Sequence, residues 1–118
     1  FVLDYDHNAP DAEYLEKTHF KFYEIYRKLK PDIPIIFMSI SCFDKYPNAS
    51  ERREVVIRSY QRACEVGDKN VYFIDGSTLT WRFGGDSGTV DGRHPNDLGF
   101  FCMANTIEPV IKKILEGK

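Results

Sequence analysis

The residues of this chain whose types and spacing suit chemistry form one run, Asp91-Gly92-Arg93-His94-Pro95-Asn96-Asp97-Leu98-Gly99. An imidazole, with an ordinary pKa near neutrality, can take a proton from a hydroxyl nucleophile and later return it to a leaving group. A carboxylate three residues earlier can fold back on that ring, fix its tautomer and stabilise the imidazolium, as the acid of a nucleophilic triad does. His94 is therefore the candidate base and Asp91 the acid that orients it. Gly92 lets the turn tighten, and Pro95 holds the backbone after His94. On spacing alone, Asp91 and His94 also suit a helix N-terminus, where both residue types occur as caps. A second polar block, Asp4-Tyr5-Asp6-His7-Asn8-Ala9-Pro10, opens another route. Asp4, Asp6, His7, Asp91 and His94 offer oxygen and nitrogen ligands for a divalent ion, as in a metal-dependent phosphoesterase.

These blocks can meet only if the chain folds so that distant loops gather at one end, and the periodicity predicts such a fold. Residues 1–5 are a short apolar run that ends in a polar, proline-containing loop. Tyr14, Leu15, Thr18, Phe22, Ile25, Tyr26 and Leu29 recur at helical spacing, and Pro31 stops them. Residues 33–40 are apolar with little alternation, the mark of a strand covered on both faces. Asn48 and Glu51 have the spacing of a capping box for a second helix through Val55, Val56, Tyr60, Ala63 and Cys64, ending at Gly67. Residues 71–74 are the next strand. A long glycine-rich segment, 75–93, leads to a last helix beginning near His94 or Asn96, which Pro109 should kink or restart. Strands alternating with helices predict parallel pairing in an α/β layered domain. Ligands of such folds bind beyond the carboxyl ends of the strands, where segments 6–10, 41–46 and 76–94 would gather.

Composition narrows the class. The 118 residues, 42% hydrophobic and 14% aromatic, suit one small domain. The 16 basic and 18 acidic residues are interspersed, with no basic stripe, which speaks against a nucleic-acid partner. No apolar run is long enough to span a bilayer. Cys42, Cys64 and Cys102 lack metal-ligand or redox spacing and read as buried free thiols. His19 lies mid-helix and reads as a packing or surface residue rather than a ligand. Asn48-Ala49-Ser50 matches a glycosylation sequon, which a helix cap explains equally well.

The Asp-Gly-x-His-Pro-Asn-x-x-Gly pattern at 91–99 resembles the last block of the SGNH, or GDSL-like, hydrolases, and residues 4–10 resemble an earlier block. The resemblance implies a three-layer, flavodoxin-like α/β fold with a parallel sheet, of which residues 1–118 are the C-terminal portion. It implies a serine esterase cleaving acyl esters, such as acetyl esters of carbohydrate, through a Ser-His-Asp triad without a cofactor. His94 and Asp91 take the base and acid positions, and Asn8 takes that of the oxyanion-hole asparagine. Around Asn8 the chain departs from the family pattern, with Asp6 where a glycine is usual and Ala9 where an aspartate is usual. The family's Gly-Asp-Ser block is expected upstream of Phe1. Gly85-Asp86-Ser87 is rejected for that role because it follows no strand and lies four residues before Asp91. Ser87 reads instead as a loop residue lining the substrate mouth with Trp81, Arg82 and Phe83. A piece holding only the last strands of such a sheet would expose an edge able to pair with the upstream segment or with another copy. The non-enzyme alternative is a flavodoxin-like module that holds carbohydrate without cleaving it.

Overall fold

The computed structural model describes residues 1–41, 46–79 and 87–117. Three strands, β1 (Val2–Leu3), β2 (Ile35–Met38) and β3 (Val71–Ile74), form a parallel sheet in the order β1-β2-β3. Helix α1 (Ala12–Leu29) joins β1 to β2, and α2 (Ala49–Glu65) lies between β2 and β3. Helix α3 (Asp97–Glu116) closes the described chain. Alternation along the strands sorts the layers, since successive side chains leave opposite faces of a sheet. Ile35 and Phe37 pack with Leu3, Phe20, Tyr23, Val56 and Ala63 under α1 and α2. Ile36, Met38 and Ile74 pack with Leu79 and Ile114 under α3. The expected three-layer α/β arrangement with a parallel sheet is therefore present, and β2 is buried on both faces.

Several local expectations change. Asn48 stands at the N-terminus of α2, but its backbone is left-handed (φ 56°) and its side chain makes no capping bond, so the capping box does not form. Asparagine is among the residues that tolerate that conformation. Of the two expected starts of α3 the structure takes Asn96, which caps the helix, but the helix runs through Pro109 without restarting. Cys64 is exposed on α2, whereas Cys102 is buried; Cys42 lies outside the described residues.

Helix α1 buries Leu15, His19, Phe20 and Tyr23. Of the apolar stripe read from spacing, only Leu15 belongs to that set; Tyr14, Phe22, Ile25 and Leu29 are exposed. Tyr14, Phe22 and Ile25, with Phe1, Val2 and Tyr5, instead line a groove of about 620 Å³ beside the edge strand β1. A smaller groove of about 260 Å³ flanks β1 on the α3 face, between Val2, Ile36, Ile111 and Leu115.

His19 is fully buried between Tyr5 and Phe37, their ring centroids 5.4 and 5.8 Å away. Neither ring nitrogen has a hydrogen-bond partner among the described residues. Burial disfavours the charged ring and lowers its pKa from 6.5 to about 4. As pH falls below 6.5 the unfolded chain takes up a proton that the folded chain refuses, so this residue's contribution to stability declines down to about pH 4. The expected loss at His19 between pH 7 and 5 is about 2 kcal/mol. Urea denaturation at both pH values, for the parent and His19→Leu, isolates it; an unchanged pH dependence in the variant would assign the slope elsewhere.

Candidate active site

The three strands end side by side, and hydrogen bonds tie their following segments together. After β1, the turn Asp6–Asn8 is a single 3-10 turn. The fully buried Asp6 carboxylate accepts the Ile40 N–H just past β2 through Oδ2 (2.9 Å), and the His7 N–H through Oδ1 (2.8 Å). After β3, the Gly76 N–H donates to Ser39 Oγ at 2.9 Å. Beside it, Asp75 pairs with Arg53 of α2, which holds the carboxyl down at about 2.

The segment 87–96 is a strap laid against the start of α3. Asn96 organises it: its Oδ1 caps the helix by accepting the Gly99 N–H (3.0 Å), while its Nδ2 donates to the carbonyls of Ser87 (2.9 Å) and Thr89 (3.2 Å). The Asn96 N–H also reaches the Gly88 carbonyl at 3.0 Å, and Val90 N–H donates to His94 O at 2.8 Å. Gly92 turns the strap with φ 83°, a conformation costly for residues with a side chain, and donates to Thr89 Oγ1 at 2.9 Å.

The strap brings the proposed acid and base together. His94 Nδ1 lies 2.6 Å from Asp91 Oδ2. Asp91 Oδ1 accepts the backbone N–H groups of His94 (2.8 Å) and Arg93 (3.0 Å). With these donors and the ring, the Asp91 pKa falls to about 2. An ionised carboxylate has no proton to give, so Nδ1 is the donor, and in the neutral ring Nε2 keeps its lone pair, the tautomer a general base requires. The His94 side chain is 77% exposed, and among the described residues nothing bonds Nε2. All six serines are described, and none of them bonds this nitrogen. Ser87 is exposed on the strap; Trp81, Arg82 and Phe83 lie outside the described residues.

Asn8 is exposed, and its side-chain amide is without a bond among the described residues, whereas the backbone around it is held. Arg52 of α2, only 4% exposed, donates to the carbonyls of Asp6, Ala9 (2.9 Å) and Pro10 (3.2 Å). Tyr46 donates its hydroxyl to His7 O at 2.5 Å. The Tyr46 ring also faces the Arg93 guanidinium, 5.4 Å from its centroid, so one side chain touches both the Asn8 turn and the His94 strap. Neither Arg52 nor Tyr46 stood out in the sequence. The available signal was the place of Arg52 on the buried stripe of α2, with Val55, Val56, Ser59 and Ala63.

The possible metal ligands divide. Asp4, Asp6 and His7 bring ligand atoms within 4.8 Å of one another, without Asp91 or His94. Both Asp6 oxygens already accept backbone N–H groups, and His7 Nδ1 leans on Asp6 Oδ1 at 3.3 Å, which raises the His7 pKa. A raised pKa favours the protonated ring, which offers that nitrogen's lone pair to no metal. The five-ligand centre considered from the sequence is not assembled.

The parallel α/β domain thus holds Asp91 bonded to His94 beyond its strand ends. The chain belongs to the GDSL-like lipase/acylhydrolase family, whose sequence profile matches residues 1–112. It is similar to a Bacteroides ovatus protein described as a GDSL-like lipase, at 31% identity and a TM-score of 0.78, over 98% of this chain and 36% of that one. A salicylyl-acyltransferase of a tetracycline biosynthetic pathway, SsfX3, shares the fold at 20% identity and a TM-score of 0.72, over 96% of this chain and 37% of that one. The chain thus spans little more than a third of the length of either structure. No curated protein matches it significantly.

Proposed function

We propose that residues 1–118 are the C-terminal portion of a serine esterase domain, supplying its general base, orienting acid and an oxyanion donor, with the nucleophilic serine outside this segment. The observation that carries the reading is the 2.6 Å bond between His94 Nδ1 and Asp91, which leaves Nε2 as the open basic nitrogen. In the reaction, Nε2 takes the proton of the serine hydroxyl as its oxygen attacks the ester carbonyl carbon. The carbonyl π pair moves onto oxygen, where the Asn8 amide donates a hydrogen bond worth roughly 3–4 kcal/mol in such sites. The tetrahedral intermediate then expels the alcohol, which receives the proton from His94 and leaves an acyl-serine. Water, deprotonated by the same nitrogen, hydrolyses that ester and restores the enzyme. Short acyl groups such as acetyl on carbohydrate are the proposed substrates. Among the described residues β1 pairs only with β2, and its outer edge and the apolar grooves on both its sides suit the seating of a further strand of the same polypeptide, or of a second copy.

A fluorophosphonate probe, which labels activated serines, tests the reading on the full-length protein. One adduct is expected, on a serine outside residues 1–118, and it should be lost in His94→Ala. An adduct on Ser87 would relocate the nucleophile, and the absence of any adduct on folded protein would refute the esterase mechanism.

A further inference from the structure

We propose that Arg52 and Tyr46 are positioning residues that set Asn8 at a fixed distance from His94; the inference rests on the esterase reading above. Within 6–10, the carbonyls of Asp6, Ala9 and Pro10 accept from the Arg52 guanidinium, and that of His7 accepts from the Tyr46 hydroxyl. The residue left out of this set is Asn8, whose exposed amide must be aimed. Arg52 is nearly inaccessible, and no carboxylate lies within ion-pair distance of it among the described residues; its Nη atoms spend their donors on backbone carbonyls alone. A buried guanidinium so placed is costly to desolvate and is poorly explained as a surface ion pair.

Tyr46 extends the clamp across the site. Its ring contacts two guanidinium groups, each 5.4 Å from the centroid: that of Arg52, which holds the Asn8 turn, and that of Arg93, the residue before His94. One rigid ring thus spaces the turn that bears the oxyanion donor from the strap that bears the base. Tyrosine suits the task, because its ring stacks with cations while its hydroxyl keeps a directional bond. Catalysis is sensitive to this spacing, since a misplacement of about 1 Å can cost about 100-fold in rate.

The test is steady-state hydrolysis of p-nitrophenyl acetate by the full-length protein. Arg52→Met and Tyr46→Phe are each expected to lower kcat by about 10- to 100-fold with KM little changed. Arg52→Lys should restore part of the loss, because an ammonium can still donate to some of these carbonyls. In an Asn8→Ala background the same substitutions should change kcat by less than about twofold, because they act through Asn8. Equal losses in both backgrounds, or full kcat in Tyr46→Phe, would overturn the clamp. Tyr46→Phe removes one hydroxyl and serves if Arg52→Met fails to fold. Wild-type activity in His94→Ala would instead overturn the esterase reading on which the clamp depends.

Discussion

Asp91→Asn in the full-length protein is expected to lower kcat by about 10⁴-fold, with His94→Ala at least as damaging. The asparagine variant is the sharper test, because it keeps the size of the side chain and fails for a reason that can be traced atom by atom. Asp91 accepts three hydrogen bonds, two from backbone N–H groups on Oδ1 and one from the ring on Oδ2. An amide has one oxygen for these positions. If its oxygen faces the backbone, its NH₂ meets Nδ1, which must then accept, and the ring proton moves to Nε2 where the base needs a lone pair. If its oxygen faces the ring, the NH₂ opposes two N–H donors and the turn opens. Either arrangement removes a prepared base. In the parent the carboxyl pKa lies at about 2, so no activity change between pH 7 and 4 arises from its protonation. Hydrolysis of a chromogenic acetyl ester, alongside circular dichroism to check folding, measures the effect. A folded Asp91→Asn retaining activity within tenfold of the parent would remove Asp91 from the mechanism.

Gly99→Ala is expected to destabilise the protein by roughly 1–3 kcal/mol and to lower activity with it. A methyl group at Gly99 would lie 2.0 Å from the Gly88 carbonyl oxygen and 3.0 Å from Pro95 Cβ. The first obstacle is backbone and cannot rotate away, and the same carbonyl accepts the Asn96 N–H that pins the strap to α3. Relief of the clash therefore requires lifting the segment that carries His94. Chemical denaturation and ester hydrolysis should both register the change; a variant unchanged in both would show that the strap has room the geometry denies.

What the sequence made legible follows from the kinds of signal it holds. β2 and β3 were readable because apolar runs with little polar alternation mark buried strands, and the Asp91–His94 contact because its members lie three residues apart in one turn. Local spacing could not reveal contacts made across the fold. Arg52 reaches residues 6–10 from α2, more than forty positions away, and Tyr46 bridges two segments that sequence places far apart. The α1 stripe misled for a physical reason: the helix is apolar on two faces, one against the sheet and one along the groove beside β1. Pro109 was expected to kink or restart α3; the helix continues through it without restarting, with Val110 and Ile114 packed under the sheet beyond it. Packing of that kind routinely outweighs local propensity.

The compactness of the Asp91–His94 turn also bears on how such a catalyst ages. The pair and the hydrogen bonds that orient it among the described residues come from residues 87–99, a single local stretch of chain. Asn8 and its supports are drawn from two other regions of the chain. Under the proposed mechanism, a lineage that drifts from hydrolysis toward mere binding can lose Asn8 by scattered substitutions while the Asp91–His94 turn stays intact. On that mechanism, an unbroken 91–99 turn is a poor witness to surviving activity, and the state of Arg52, Tyr46 and Asn8 is the better one.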